Sequence, residues 1–297
     1  MQIKILLAAL MITQTAFAQT FSETISKELV FEKKSPDNAL MVANMNGNVK
    51  VVGYDGDKIL LEVNKTIRGK TESRLDKGKS EIQLGIIDQA DTIILYVQDA
   101  CNQFGKKSKE KNQSGSYRHD WGYNWNCQQK NCHLEYDYKM DFTIKVPKSL
   151  HLMLSTINDG DVTVENVKGI VKAGNINGSI RLSHLESEAE ASTINGDVDI
   201  EYTQNPGKDC RFYTLNGDIN ALFQPGLSAN MSFESFNGSF YTNLRAMETL
   251  PVKVEKASQG EGIKYKINGN RYQIGGGGAL LDFETFNGNV YLKEKTK

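Results

Sequence analysis

An excess of charge of either sign is missing from this sequence. Across 297 residues, 35 basic side chains face 36 acidic ones, so there is no concentrated basic face of the kind that meets nucleic acid. Long apolar runs are missing as well. The stretch Ile5 to Ile12 is too short to span a bilayer as a helix, and no later segment approaches the ~18 consecutive apolar residues that would. There is no Gly-x-Ser-x-Gly elbow, no phosphate loop and no dinucleotide fingerprint. Proline is scarce, at 5 residues against 26 glycines, and Val, Ile, Leu, Phe and Tyr dominate the apolar segments; that balance favours strands over helices. Cysteine is limited to Cys101, Cys127, Cys132 and Cys210.

What is present begins at the N-terminus. Lys4 precedes the apolar run, and Ala16-Phe17-Ala18 forms a small-x-small cleavage pattern, so residues 1–18 read as a signal peptide. Cleavage would leave Gln19 first, with no cysteine to carry a lipid. The expectation is an exported chain, periplasmic, secreted or at the cell surface, with no integral membrane segment after cleavage. In an oxidising compartment four cysteines read first as disulfides, with three possible pairings. One plausible arrangement closes the middle segment and ties it to the distant Cys210.

Residues 19–97 read as mostly strands, beginning a repeat at Asn46-Gly47-Asn48, with a polar, weakly helical stretch near 68–79. Residues 98–137 lose this pattern. They hold both tryptophans, Trp121 and Trp125, three of the cysteines and a basic run, and a loop this long is usually functional or mobile. Residues 138–297 return to strands and repeat themselves. Asn-Gly or Asn-Asp-Gly turns recur at Asn158 and Gly160, Asn177 and Gly178, Asn195 and Gly196, Asn216 and Gly217, Asn237 and Gly238, and Asn287 and Gly288. The glycines from 160 to 238 are spaced by 18, 18, 21 and 21 residues, and 50 residues then separate Gly238 from Gly288.

Asn-Gly is a turn signal because both residues tolerate the left-handed region. Alone it suggests a hairpin. At near-constant spacing it suggests the corner of a coil, which cannot bury its apolar side until other coils stack on it. Ile157, Ile176, Ile194, Leu215, Phe236 and Phe286 precede the turn, and Val162, Ile180, Val198, Ile219, Phe240 and Val290 follow it. Both sets are expected to point inward as columns, with Asp161, Ser179, Asp197, Asp218, Ser239 and Asn289 facing out between them. Each turn is expected to sit on its equivalent in the preceding coil. The fold class is therefore all-β, a right-handed parallel β-helix or β-solenoid-like repeat domain with an irregular, disulfide-stapled insertion.

With Gly174-Asn175-Ile176-Asn177-Gly178-Ser179-Ile180 and the approach Phe142-Thr143-Ile144-Lys145-Val146-Pro147, the chain resembles the bacterial putative-adhesin families of unknown function, which carry Gly-Ile-Asn-Gly-like turns in a β-strand repeat domain. The resemblance spans roughly residues 37 to 293. It implies an exported or cell-surface protein with a β-solenoid-like fold, and it implies no particular ligand. The insertion at 98–137 departs from the family's simpler pattern.

Candidate chemistry is sparse. Repeated turn oxygens can hold calcium on a solenoid, yet Asp follows glycine only at 161, 197 and 218; the plainer expectation is that Asn side chains stack and cap backbone groups while Asp faces water. Asp197 and Asp218 lie one unit apart, near the carboxylate separation of a retaining glycosidase, with no companion Lys or Arg. Cys127, Cys132 and His133 lack the usual paired zinc spacing. The expectation is a non-enzymatic scaffold without catalytic residues, metal or cofactor, whose partner is an envelope protein or a glycan. A carbohydrate-active enzyme or a purely structural envelope component are the alternatives. The expected recognition surface is the aromatic series Tyr117, His119, Trp121, Tyr123 and Trp125, which would otherwise cover an edge of the strands.

Overall fold

The computed structural model describes residues 19–106, 122–127, 132–259, 262–268 and 270–296. The signal-peptide segment lies outside them. In chain order the elements begin with β1 (Gln19–Leu29), β2 (Ala39–Ala43), β3 (Val49–Tyr54), β4 (Ile59–Gly69), α1 (Glu72–Glu81), β5 (Gln83–Asp88), β6 (Thr92–Gln98), β7 (Asn102–Lys106), β8 (Tyr123–Cys127) and β9 (Tyr136–Pro147). There follow β10 (His151–Ser155), β11 (Val162–Glu165), β12 (Val171–Gly174), β13 (Ile180–Leu185), β14 (Ala189–Asn195), β15 (Val198–Tyr202), β16 (Cys210–Asn216) and β17 (Ile219–Phe223). The chain ends with β18 (Ala229–Asn237), β19 (Phe240–Thr242), β20 (Met247–Thr249), β21 (Lys253–Gln259), β22 (Gly262–Asn268), β23 (Arg271–Ile274), β24 (Leu280–Asn287) and β25 (Val290–Glu294).

Two large sheets carry the fold. The 10-stranded sheet runs β1-β4-β9-β3-β11-β13-β15-β17-β25-β19, and the 11-stranded sheet runs β20-β23-β18-β24-β16-β14-β12-β10-β2-β6-β5. From β9 to β19 in the first, and from β6 to β18 in the second, every neighbouring pair is parallel. Antiparallel strands close both ends: β4 and β1 beyond β9, β5 beyond β6, and β23 with β20 beyond β18. Each Asn-Gly turn joins a strand of the larger sheet to one of the smaller, so the turns do not close hairpins.

The spatial order of these strand–turn–strand units departs from chain order at both ends. The first unit, β2 and β3, lies between β6/β9 and β10/β11; the last, β24 and β25, lies between β16/β17 and β18/β19. The turn at Gly238 therefore sits on Gly288, and Gly288 on Gly217. This corrects the expectation that each turn stacks on its predecessor. Interstrand pairing depends on matched registers and does not require adjacency in sequence. The 50-residue gap holding the β21–β22 hairpin and β23 gives the chain length to return.

Between the sheets, alternate side chains meet. Leu152 and Leu154 face Val162 and Val164 across one unit, and Ala189 and Ala191 share a level with Val198 and Ile200; all are buried. Volume is balanced along the stack. Ala191 pairs in register with Phe212, and Tyr202 stacks on Phe223 with centroids 5.1 Å apart. At the opposite end, α1 starts at Thr71, whose side chain accepts a hydrogen bond from the Arg74 backbone N–H. Leu75 plugs α1 into the core, and the absent side chain at Gly78 lets the helix approach Ile67 and Tyr136.

Candidate functional site

The Asn-Gly corners form one continuous edge of the molecule, and three hydrogen-bonded ladders run along it. In the first, each turn asparagine donates from Nδ2 to the Oδ1 of its neighbour. Asn177 donates to Asn158 (2.8 Å), Asn195 to Asn177 (2.8 Å), Asn216 to Asn195 (2.9 Å), Asn287 to Asn216 (2.8 Å) and Asn237 to Asn287 (2.9 Å). Asn46 is joined to Asn158 by a parallel bridge.

The second ladder uses the residue after glycine. Its side-chain oxygen accepts the backbone N–H of the same position one unit on. Asp141 accepts from Asn48, Asn48 from Asp161, Asp161 from Ser179 and Ser179 from Asp197. Asp197 then accepts from Asp218, Asp218 from Asn289 and Asn289 from Ser239. Asp161 also pairs with Arg181, Oδ2 to Nη1 at 2.8 Å. The three turn aspartates proposed for calcium or catalysis are thus engaged in backbone recognition. Among the described residues there is no group of three or more His, Cys, Asp or Glu arranged to hold a metal ion.

The third ladder escaped the sequence reading. Two positions before five of the turn asparagines lies a buried polar residue that donates to a glycine carbonyl of the neighbouring unit. Thr156 donates to Gly47 (2.7 Å), Asn175 to Gly160 (3.0 Å), Thr193 to Gly178 (2.8 Å), Thr214 to Gly196 (2.8 Å) and Thr285 to Gly217 (3.2 Å). The signal was a polar residue recurring in an otherwise apolar strand position. Glycine is required at the corner because an added Cβ would run into the glycine carbonyl of the adjacent unit. Close approach, more than left-handed freedom, is what the repeated glycines supply; Gly160, Gly178 and Gly238 lie outside the left-handed range.

This inward polar residue overturns half of the expected core. Strand side chains alternate faces, so if Thr193 points in, Ile194 must point out. Ile157, Ile176, Ile194 and Leu215 are only partly buried, and Phe286 and Phe236 are 44% and 74% exposed. Val162, Ile180, Val198, Ile219 and Val290 do lie in the core, and Phe240 is half-buried. The residues before the turn therefore form an apolar column on the outer face. It ends in two stacked rings, Phe286 and Phe236, with centroids 4.8 Å apart and planes 4° from parallel. On the other side of the same corner, Tyr291 and Tyr241 stack at 5.1 Å.

The insertion replaces the Asn-Gly corner between β6 and β9. Its described hairpin, β7 with β8, lies on β6: Phe104 stacks on Tyr96 at 4.9 Å, Tyr123 on Phe104 at 5.6 Å, and Trp125 meets Phe104 at 4.9 Å. Tyr123 also accepts a hydrogen bond from Gln89 Nε2 (2.7 Å). Tyr123 and Trp125 belong to one packed cluster, with Trp125 partly buried against the core. Tyr117, His119 and Trp121 fall outside the described residues. At the base of the hairpin a cavity of about 290 Å³ is lined by Tyr96, Asp99, Asn102 and Phe104. Asp99 is committed to the backbone N–H groups of Cys101 and Asn102 (2.7 and 2.6 Å).

Cys101 and Cys132 form a disulfide that staples this segment locally. Cys210 does not tie the insertion to the repeats, which corrects that expectation. It is a buried free thiol at the start of β16, 3.2 Å from the Tyr202 hydroxyl, and its inward strand position points it away from the surface where the insertion lies. Burial pushes both the Cys210 thiol and the Tyr202 phenol above their ordinary pKa. Cys127 lies in β8, with its side chain outside the described atoms.

No family model matches this sequence, and no curated protein matches it. Solved structures do. One, named a "putative cell adhesion protein" from Clostridium sporogenes, is 10% identical, with 93% of this chain and 100% of that one covered and a TM-score of 0.43. Another, named a "putative adhesin" from Bacteroides fragilis, is 12% identical, with 92% and 97% covered and a TM-score of 0.34.

Proposed function

We propose that this protein is an exported, non-enzymatic scaffold with an adhesive or interaction role at the cell surface or in the periplasm. Its strand–turn–strand units would be the coils of a right-handed β-solenoid. The observation that carries the reading is the outer apolar column from Ile157 to Phe236, held on a frame whose polar corner groups bond to one another. A row of half-buried apolar side chains ending in two exposed rings is surface of the kind that marks interaction sites, and carboxylates engaged in interstrand bonds are poorly placed for acid–base work. The Cys101–Cys132 disulfide accords with an oxidising compartment.

The test is attachment of the labelled mature protein to cells and to isolated envelopes. Replacing Ile176, Ile194 and Leu215 together by serine is expected to reduce attachment while the far-ultraviolet spectrum stays that of a β protein. Sugar-cleaving activity that an Asp197→Asn change abolished would instead establish the carbohydrate-active enzyme.

A further inference from the structure

Along most of the stack the outer surface beside the corner is charged and paired between units. Arg181 meets Asp161 and Asp199, Lys172 meets Glu190, and Arg211 meets Asp282. At the β18–β19 end this stops. From Ser235 to Leu244 the chain carries no charged residue. In the register of the sheet, Tyr291 and Tyr241 occupy the outward position that Thr163, Arg181, Asp199 and Asn220 hold elsewhere. Phe236 and Tyr241 are 74% and 50% exposed, and each is the last ring of its column.

The ladders also stop here. In the units below, the corner glycine donates its N–H to the next asparagine carbonyl, as Gly196 does to Asn216, Gly217 to Asn287 and Gly288 to Asn237. Gly238 N–H has no such acceptor among the described residues. Nor, among the described residues, do Asn237 Oδ1, Gly238 O and Ser239 Oγ receive the donors that their equivalents receive. One donor and three acceptors, all on exposed residues, thus lie between two uncovered aromatic faces.

This exposure is selective. The core at the same end is covered: Tyr272 of β23 stacks on Phe240, and Phe240 packs at a tilt against Phe233. Strand addition is also obstructed. β23 takes the edge of β18 over Ala229–Ser232, and the Phe233 N–H is bonded to Asn270. β19 is only 3 residues long, and Asn243 turns the chain away through bonds to Glu294. Short, blocked edges resist pairing with another strand.

From this geometry we infer that the β18–β19 corner binds a neutral polysaccharide, with Phe236 and Tyr241 as stacking platforms and Asn237, Gly238 and Ser239 as hydrogen-bonding groups. A pyranose ring has apolar C–H faces and a rim of hydroxyls. It therefore matches an aromatic face bordered by unpaired amide, carbonyl and hydroxyl groups, and the segment Ser235 to Leu244 itself carries no charge for an anionic polymer to pair with; the Lys293 ammonium lies 5.7 Å from the Tyr291 centroid. The inference rests on the interaction role proposed above and assigns its site and ligand class.

Affinity electrophoresis of the mature protein in gels containing hydroxyethyl cellulose, glucomannan or dextran tests it, with polygalacturonate and hyaluronan as charged polymers. At least one neutral polymer is expected to retard the wild-type protein. Phe236→Ala and Tyr241→Ala should each weaken that retardation about tenfold, the scale of one lost ring contact, with thermal unfolding unchanged. Trp125→Ala should leave it intact. Retardation by the charged polymers alone, by none of the polymers, or undiminished from wild type in both ring variants would overturn the assignment. So would a wild-type dimer that light scattering shows reduced to a monomer by Phe236→Ala, because the corner would then join two copies of this chain. Attachment to cells that persists undiminished in the Phe236→Ala, Tyr241→Ala double variant would remove the glycan site and leave the wider interaction role standing. Absence of any attachment would remove that role itself.

Discussion

The middle of the stack and its β18–β19 end are built from the same sequence motif, yet they present opposite surfaces. In the middle, outer side chains of neighbouring units carry opposite charges, and each corner group has a partner above and below. At the end, aromatic rings replace the ion pairs, and the corner has partners on one side only. Isolated surface ion pairs stabilise by little, so exchanging them for rings costs the frame almost nothing. What the exchange alters is what the surface can hold. A motif that serves folding in the middle becomes available for recognition where the stacking stops.

The inner and outer aromatic columns offer the sharpest test of that division. Phe283 is fully buried and packs against Phe212 with centroids 5.4 Å apart, whereas Phe286, three residues on, points outward. Phe283→Ala is expected to cost about 3–5 kcal/mol, the range for a core phenylalanine. Phe286→Ala should cost about 1 kcal/mol or less, as exposed positions do. Equal shifts in urea unfolding would mean that the outer column also belongs to the core.

Glycines divide along the same line. Gly217→Ala would drive a Cβ into the Gly196 carbonyl, and about 3 kcal/mol of destabilisation is expected from such overpacking. Gly207 has open space around it, and Gly207→Ala should stay within about 0.5 kcal/mol of wild type. Calorimetry of both variants checks the contrast. A mild Gly217→Ala would show that the corners can move apart.

A smaller effect is expected from the buried hydroxyls. Thr214→Val keeps the shape but leaves the Gly196 carbonyl unpaired in the interior, at a cost of about 1–2 kcal/mol. Ser235, at the end unit, makes a longer contact of 3.4 Å to Gly288 and is only partly buried. Ser235→Ala should cost about 0.5 kcal/mol or less. Chemical denaturation of the pair would break the comparison if the end variant lost as much as the middle one.

Much of this was legible in the amino acids. The turns and the inward residues after glycine follow from spacing and alternation, because those signals are local. The outward column was misread because apolar residues on both flanks of a turn look alike until the strand phase is fixed, and the phase is set by Thr156, Thr193, Thr214 and Thr285. Had their burial been inferred from recurrence, Ile157 and its equivalents would have been placed outside. The interleaving at both ends was not legible, since any Asn-Gly unit can pair with any other. Only the long gap before Gly288 hinted at it. Of the expected recognition residues, Tyr123 and Trp125 meet in one cluster, while Phe236 and Tyr241 were missed because exposure cannot be read from an apolar side chain.

The smallest effect concerns Cys210, once expected in a disulfide and found buried beside Tyr202. Burial raises the thiol above its ordinary value of 9.0, so the folded chain keeps this proton at a pH where the unfolded chain releases it. The unfolded state then binds fewer protons, and stability must fall as pH rises past the ordinary thiol value. Tyr202 behaves in the same way, but its decline begins above the ordinary phenol value of 10.0. Cys210→Ala should therefore delay the alkaline loss of stability from the thiol range to the phenol range. Urea midpoints measured from pH 7 to pH 11 read this directly. An unchanged profile would mean that the thiol opens to solvent in the folded chain, and that the middle of the stack is looser than its closed ladders imply.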